Sequence, residues 1–476
     1  MSRIIVSLTS YGERLKETAP EAVKSINECA EYTPDLIVLY VAENERHLVK
    51  DQFRHIKNIQ IRYIPDYLSH KKFYALTEKE FEDDFIVIAD DDLHYKTYFL
   101  SKLFQKYEEH KHNSNFIICN RGQRMAENAY IKKPFIMKED PDYGRMVFGS
   151  GAGLLVPPHT MRFAEEVIKE GFTVSPHCDE SFYSIYCIKN GIKTFCTGKP
   201  QPFYQIRLPK LDPSGLWDKY NRYEKDEVLR KVCDFFSIPI NEPIYVSFTS
   251  WKKRIHLASK VVEMMRRQTI KPKKIILTLS SDEFKNMEKD LPKDLTRMVG
   301  EDFEIKWVKE NSFTFKKLEP LFYINEDEWV LIVDDDINYP DDFIQTMYFS
   351  TDPDGTQPVT GSSLKSWYRE WGNVMSAAGA YCLIKPRHCL PHLKLMKDYL
   401  MKITYDLSSD PILTYSVFLN KLTFLKSKID FRKLHMRGNE NYAEPYSAGT
   451  EGKKRNEKTH ELIHKYFKEN EVIWKE

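Results

Sequence analysis

The sequence lacks the features that mark several large classes of protein. Its eight cysteines include no Cys-x-x-Cys pair, which favours free thiols in a reducing cytoplasm. No apolar run approaches the roughly 18 to 20 residues that span a bilayer, and residues 1–6 enter a strand pattern directly instead of a secretory apolar stretch. Lys plus Arg total 71 against 70 for Asp plus Glu, without the broad basic excess of nucleic-acid binders. We therefore expect a cytoplasmic protein that binds no nucleic acid.

An acidic triplet occurs twice, each time after an apolar run. Residues 85–92 read FIVIADDD and residues 329–336 read WVLIVDDD, so the two triplets begin 244 residues apart in a chain of 476. A chain of this length favours two domains. Because three adjacent carboxylates repel one another unless a cation lies among them, the repetition predicts a metal site in each half.

Other features repeat around the triplets. Each half opens with an apolar strand and a small polar and aromatic turn, and an arginine follows three residues after the aromatic residue. A helical pattern comes next, beginning at Ala19 in the first half and at Leu257 in the second, and a second apolar strand follows it, as in a parallel crossover unit. A lysine precedes each triplet by 18 residues, and a segment of small residues follows it (149–153 and 377–380). The turn residues, arginines and lysines are Thr9, Ser10, Tyr11, Arg14 and Lys72 in the first half, and Thr249, Ser250, Trp251, Arg254 and Lys316 in the second.

Late in each half, acidic residues begin an apolar helical pattern that ends at an asparagine. These residues are Asp179 and Glu180 in the first half and Asp410 in the second. A further helix is expected over residues 224–236, and two prolines in residues 237–243 mark a linker. The sequence therefore predicts an α/β protein with domains at 1–240 and 241–476.

The position of each triplet at a strand end indicates its chemistry. Because side chains alternate along a strand, Asp90 and Asp92 are expected on one side and Asp91 on the other. Ligands of α/β sheets gather at the carboxyl ends of strands. Paired carboxylates there suit Mg²⁺ or Mn²⁺, with phosphate oxygens or water filling the remaining positions. The pattern favours a diphosphate as the ligand.

Together these motifs resemble the nucleotide-sugar glycosyltransferases of the GT-A fold, and more closely their bacterial surface-polysaccharide type, which builds capsule or lipopolysaccharide. The resemblance covers essentially the whole chain as two tandem copies. Its most specific elements are the triplets, each with a tyrosine three residues on (Tyr95 and Tyr339), and the Thr-Ser-aromatic-x-x-Arg openings. It implies two Rossmann-like, mostly parallel sheets and sugar transfer from a nucleotide donor such as a UDP-sugar.

The resemblance also implies roles for individual residues. Asp90 and Asp334 would meet the ribose of the nucleotide, and Asp92 and Asp336 would bind the metal. The opening turns would line the base, with the arginines or the lysines near the phosphates. A late acid would serve as general base on the acceptor hydroxyl, which indicates Glu180 or Asp179 in the first half and Asp410 in the second. One carboxylate base per site favours inversion at the anomeric carbon.

Three alternatives stay open or are set aside. One copy could be a non-catalytic glycan-binding or scaffold module. The C-terminal stretch from Lys453 could pack as a closing helix, which we favour, or lie on the cytoplasmic face of the inner membrane, where a lipid-linked glycan acceptor would be found. A phosphatase of the haloacid dehalogenase type also has Asp-x-Asp after a strand, but it requires Thr or Val where this chain has His94 and Asn338.

Overall fold

The computed structural model describes residues 2–125, 135–136, 145–206, 222–351, 355–360, 365–366, 375–376, 381–427, 429 and 450–470. The chain divides into two compact units, Met1–Asn241 and Glu242–Glu476. Among the described residues no helix is both long and apolar enough to cross a membrane.

The first unit is built on a seven-stranded sheet in the order β11-β6-β10-β4-β1-β2-β3. Strand β10 runs antiparallel to both of its neighbours, and the other pairs are parallel. The strands are β1 (Ile4–Thr9), β2 (Leu36–Ala42), β3 (Ile59–Ile64), β4 (Phe85–Ile88), β5 (Leu93–Tyr95), β6 (Phe116–Cys119), β7 (Gly122–Arg124), β8 (Phe135–Ile136), β9 (Met146–Phe148), β10 (Leu154–Val156), β11 (Lys193–Cys196) and β12 (Phe203–Gln205). The helices are α1 (Arg14–Glu17), α2 (Ala19–Asn27), α3 (Phe99–His110), α4 (Glu165–Val174), α5 (Asp179–Lys189) and α6 (Arg222–Phe235).

The second unit has a seven-stranded sheet in the order β15-β14-β13-β16-β20-β17-β21. Its strands are β13 (Ile244–Thr249), β14 (Lys274–Ser280), β15 (Phe303–Val308), β16 (Trp329–Val333), β17 (Val359–Thr360), β18 (Lys365–Ser366), β19 (Met375–Ser376), β20 (Tyr381–Ile384) and β21 (Leu425–Lys426). Its helices are α7 (Ala258–Arg267), α8 (Lys293–Arg297), α9 (Phe343–Tyr348), α10 (His392–Leu400), α11 (Ser409–Leu419) and α12 (Thr450–Glu469).

The two sheets have the same topology. Read from the opposite end, the second order matches the first strand for strand, with β13 in the place of β1, β16 in the place of β4, and an antiparallel β20 in the place of β10. The central strands are mostly apolar because both of their faces are covered, as parallel sheets require. The predicted α/β class with two mostly parallel sheets is confirmed.

The helices agree with the sequence pattern to within a few residues. The patterns that begin at Ala19 and Leu257 form α2 and α7, and the helix expected before the linker is α6. In α12, Ile463, Tyr466 and Phe467 are buried in the core of the second unit. This packing agrees with a closing helix in the C-terminal stretch.

Candidate functional site

Each acidic triplet lies in a turn immediately after the central strand. β4 ends at Ile88 and β16 at Val333, so the triplets are beyond the strands and strand alternation does not set their side-chain directions. A buried tyrosine holds each turn. The backbone N–H of Asp90 donates to the hydroxyl of Tyr95 at 2.8 Å, and that of Asp334 donates to Tyr339 at 2.9 Å. The tyrosines noted three residues after the triplets therefore shape the backbone of the site.

The middle carboxylate of each triplet is buried and anchored. The hydroxyl of Ser10 donates to Asp91 at 2.5 Å, and Nη1 of Arg14 lies 3.2 Å from Asp91 and 3.1 Å from Asp92. In the second unit, Ser250 donates to Asp335 at 2.6 Å.

Arg254 completes the same arrangement in the second unit. Its Nη2 lies 2.9 Å from Asp335 and its Nη1 lies 2.5 Å from Asp336. The opening turn predicted from sequence is thus brought to the triplet in both units, because β1 and β13 pair beside β4 and β16. The serine and the arginine make these contacts.

A buried lysine pairs with the first carboxylate of each triplet. In the first unit, Nζ of Lys72 lies 2.8 Å from Asp90 and 3.3 Å from Asp179, and the Lys72 side chain is 5% exposed. Burial alone would lower the pKa of Lys72, but the two carboxylates raise it overall. Lys72 is therefore a charged ammonium held between two acids.

The equal spacing of 18 residues identified the wrong lysine in the second unit. Lys316 contacts Asn311 at 2.6 Å and Glu283 at 3.4 Å, whereas Lys317 lies 2.7 Å from Asp334 and 3.8 Å from Asp410. The position equivalent to Lys72 is thus Lys317, and that of Lys316 is equivalent to Lys71. The segment between this lysine and the triplet is one residue shorter in the second unit.

A signal in the sequence could have found Lys317. Both halves carry a Lys-Lys pair, and aligning the pairs matches Lys72 with Lys317. A backbone contact confirms that alignment, since the hydroxyls of Ser7 and Ser247 donate to the carbonyls of Lys72 and Lys317.

The late acids begin helices α5 and α11. Asp179 is 4% exposed at its side chain, accepts a hydrogen bond from Ser150 at 2.7 Å, and pairs with Lys72. Burial opposes ionisation of Asp179, yet Lys72 holds its pKa below the ordinary value. The neighbouring Glu180 is 24% exposed and lies 4.0 Å from Lys225.

Asp410 combines features of both acids of the first unit. Like Glu180, it is the second residue of its helix, because α11 begins at Ser409. Like Asp179, it faces the buried lysine, at 3.8 Å from Lys317. Its side chain is 30% exposed, and desolvation of its carboxylate raises the pKa.

Each cluster contains more negative than positive charge. The three carboxylates of the triplet and the late aspartate meet one arginine and one lysine, which leaves a net charge of −2 when all are ionised. Burial and the charges of Asp90 and Asp91 raise the pKa of Asp92 to about 7, and burial raises the pKa of Asp335 to about 7. One divalent cation would balance either cluster.

The chemistry of the donor set fits such a cation. Carboxylate oxygens are the ligands that Mg²⁺ and Mn²⁺ prefer. Among the described residues no three His, Cys, Asp or Glu side chains are grouped to hold a metal by themselves. A cation would thus need water or phosphate oxygens in addition to these carboxylates, as nucleotide-binding magnesium sites do.

Gly151 provides the space for the first carboxylate. A Cβ atom on Gly151 would lie 1.5 Å from Oδ2 of Asp90, so only glycine leaves room for that side chain. The space left by the small residues at 149–153 is therefore occupied by a carboxylate of the site itself. The corresponding segment of the second half, residues 377–380, lies outside the described residues.

The remaining residues of the opening turns lie at the edge of the clusters. The hydroxyls of Thr9 and Thr249 donate to carbonyls of the neighbouring strand, at 2.8 and 2.7 Å, and do not reach the carboxylates. The Tyr11 ring lies 5.3 Å from the guanidinium of Arg14, whereas Trp251 has Lys253 at 5.2 Å. Their place in base binding stays a prediction.

Carboxylates that the sequence analysis missed hold both turns. Glu45 accepts from the N–H of Gly12 at 2.9 Å, and Glu283 accepts from the N–H of Lys252 at 3.0 Å. These residues follow the second strand of each unit, and their equivalence is visible only in the folded chain.

No known family model matches the chain, and no curated protein matches it. Solved structures of transferases are similar to about half of it. The inositol-1-phosphate CTP transferase from T. maritima matches at 12% identity over 49% of this chain and 97% of its own, with a TM-score of 0.28. Mouse xyloside xylosyltransferase 1 matches at 14% over 48% and 93%, with a TM-score of 0.27. S. aureus TarS 1-349 in complex with UDP-GlcNAc matches at 9% over 50% and 73%, with a TM-score of 0.28. Similarity of this degree does not indicate the chemistry of the clusters, which must be argued from their own geometry.

Proposed function

We propose that the chain is a metal-dependent glycosyltransferase with one site in each unit. Each site would move a sugar from a nucleotide-diphosphate donor, a UDP-sugar in particular, to a growing bacterial surface glycan. One observation carries the proposal: two clusters repeat the same carboxylates, with the same arginine, serine and lysine partners, at the end of the same strand of the same sheet.

Asp92 and Asp336 are the proposed metal ligands. Both belong to clusters with a net charge of −2, and both keep part of the side chain exposed, 21% for Asp92 and 20% for Asp336. A divalent cation held there would neutralise the negative charge of the leaving diphosphate. Asp90 and Asp334, held by the buried lysines, would accept hydrogen bonds from the ribose of the donor.

The general base is assigned to Glu180 in the first unit and to Asp410 in the second. A base must reach the acceptor hydroxyl and accept its proton. Asp179 is poorly suited because both of its oxygens are engaged, with Ser150 and Lys72, and its pKa is lowered. Glu180 and Asp410 share a position in their helices and are more exposed.

Asp179 is then a positioning residue. Its ion pair holds Lys72, and Lys72 in turn holds Asp90, so two buried side chains support the first carboxylate of the triplet. In the second unit Asp410 would serve both as base and as the second partner of the lysine. With one carboxylate base at each site, we expect inversion of the anomeric configuration.

The test measures nucleotide release from a panel of nucleotide sugars with Mn²⁺, with and without a chelator. The panel includes UDP-GlcNAc, which is bound in one structure of S. aureus TarS. Wild type is compared with Asp92→Ala and Asp336→Ala, and Asp341→Ala, an exposed aspartate in the second unit, is the matched control. Chelator-sensitive release from two donors, each lost in a different triplet variant, is the expected result.

A nucleoside triphosphate with a sugar phosphate is assayed in parallel for pyrophosphate release. Pyrophosphate without nucleotide release would replace the glycosyltransferase proposal with nucleotidyl transfer. Release that resists the chelator would remove the metal from the proposal.

The alternative function is one catalytic unit joined to a glycan-binding or scaffold copy. The observation behind it is the difference between the late acids: the first unit has two, one locked in an ion pair, whereas the second has a single aspartate with a longer contact to its lysine. This alternative would be favoured if one triplet variant lost all nucleotide release and the other released nucleotide as wild type does.

A further inference from the structure

An aromatic stack lies next to the first triplet and is formed by residues that have no role in the function proposed above. The rings of His94 and Tyr204 are parallel to within 16°, with centroids 4.5 Å apart. The two residues face each other across the antiparallel pair β5 and β12. We refer to this pair of rings as the His94–Tyr204 stack.

The His94–Tyr204 stack is firmly attached to the metal-binding turn. His94 lies in β5 and follows Asp92 by two residues. The N–H of Ile206 donates to the carbonyl of Asp92 at 2.9 Å, and the N–H of Lys96 donates to the carbonyl of Pro202 at 2.8 Å. The two strands are thus bonded on both sides of the stack.

Much of the Tyr204 side chain is exposed. It is 52% exposed although its ring stacks on His94. An exposed ring that is held in place beside a proposed functional site offers a stacking surface to a ligand. Nδ1 of His94 lies 3.2 Å from Glu21, which fixes the imidazole and puts a carboxylate at the edge of the stack.

We propose that the His94–Tyr204 stack is a subsite for a pyranose ring of the glycan acceptor of the first unit. The C–H groups on one face of a pyranose carry partial positive charge and pack on the negative face of an aromatic ring. Glu21, at the edge of the stack, offers oxygens to the sugar hydroxyls. This proposal rests on the proposed function, because an acceptor is held near the triplet only if the first unit transfers a sugar.

The second unit differs at this place. Asn338 occupies the position of His94, 244 residues later, so the second unit has an amide there in place of an aromatic ring. The stack is therefore not repeated at this position, and we expect the two units to hold their acceptors differently.

The experiment uses ligand-observed NMR to measure the binding of soluble tetrasaccharides to the full chain. Four tetrasaccharides are used, one each from the maltose, cellulose, chitin and laminarin series. Wild type is expected to bind at least one of them. Tyr204→Ala is expected to weaken that binding about fivefold, and Tyr204→Phe to keep it within about twofold, because stacking needs the ring and not the hydroxyl. Tyr323→Ala, which removes a tyrosine of the second unit that is 53% exposed, is the control and should bind as wild type does.

Binding of UDP with Mn²⁺ and nucleotide release are measured on the same variants, and Tyr204→Ala should leave UDP binding unchanged. Absence of tetrasaccharide binding by wild type, or equal binding by Tyr204→Ala, overturns the subsite. Weaker UDP binding by Tyr204→Ala also overturns it, because the ring would then hold the nucleobase. Tetrasaccharide binding that depends on Tyr204, in a protein that releases no nucleotide, would uphold the subsite and refute the transferase.

Discussion

Lys72 and Asp179 form a buried ion pair beneath the first triplet. Nζ lies 3.3 Å from Oδ2, and the two side chains are 5% and 4% exposed. The same ammonium lies 2.8 Å from Asp90. Because the buried carboxylate of Asp179 and the partly exposed carboxylate of Asp90 share one buried ammonium, the pair matters more for the unit than an ordinary surface contact does.

Replacing Lys72 by methionine should therefore destabilise the first unit. Loss of one member of a buried ion pair costs about 3 to 5 kcal/mol because the partner charge is left uncompensated. The measurement is the free energy of unfolding in urea. Lys72→Met with Asp179→Asn should regain part of the loss, since it removes one of the stranded charges.

Lys16→Met is the control for that experiment. Lys16 pairs with Glu13 at the surface, where the side chains are 45% and 74% exposed. An effect within about 0.5 kcal/mol is expected there. If Lys72→Met were no more destabilising than Lys16→Met, the buried pair would have no structural role.

Glu180→Gln should lower the rate of sugar transfer by the first unit by about 10²- to 10⁴-fold, the usual contribution of a general base. The amide keeps the size of the side chain and removes its basicity, so donor binding should stay unchanged. The measurement is kcat for transfer together with the Kd of the donor. Asp179→Asn should instead lower the free energy of unfolding, because Lys72 loses a partner.

The same measurements can reverse the assignment of the general base. A stable Asp179→Asn protein with the larger fall in kcat, beside an active Glu180→Gln protein, would assign the base to Asp179.

Gly151→Ala should impair the first site through Asp90. The added Cβ would lie 1.5 Å from Oδ2 of Asp90, so the carboxylate must move away from its position beside Lys72. Nucleotide release from the donor of the first unit should fall at least about tenfold, as a displacement near 1 Å can cost more than that. Release by the second unit should be unchanged.

Gly300→Ala provides the matched substitution, because its Cβ would meet only a carbonyl oxygen at 4.0 Å. That variant should behave as wild type in both assays. Equal release by Gly151→Ala and Gly300→Ala would mean that Asp90 does not need its present position.

His70 should make the stability of the first unit depend on pH. Its Nε2 donates to the carbonyl of Ser175 at 2.9 Å, and its Nδ1 lies 3.2 Å from the hydroxyl of Tyr183, which can donate to a neutral ring. Burial lowers the pKa of His70 below its ordinary value near 6.5. The unfolded chain therefore takes up a proton at a higher pH than the folded chain does.

The stability contributed by neutral His70 is complete above about pH 6.5 and is lost as the pH falls toward the folded pKa. Between pH 7 and 5 the free energy of unfolding of wild type should fall more steeply than that of His70→Gln, by up to about 1.4 kcal/mol per pH unit. Parallel curves for the two proteins would show that His70 is not held neutral.

Much of the fold was predictable because the signals are local. The apolar runs, the helix patterns beginning at Ala19 and Leu257, and the repetition of whole segments at similar offsets are all properties of neighbouring residues. The side-chain directions within the triplets were less accessible. The strands end before the triplets, and a turn held by Tyr95 or Tyr339 directs those carboxylates instead of strand alternation.

The sequence by itself determined that one unit is repeated and that each copy gathers carboxylates, an arginine and a lysine around the end of one strand. Only the tertiary structure decided that Lys317 and not Lys316 meets Asp334, and that Asp179 is buried while Glu180 stays exposed. The reason is physical: composition and periodicity follow from adjacent residues, whereas a one-residue shift in a connecting segment changes which side chain reaches a partner far along the chain. Contacts of that kind exist only once the strands have paired.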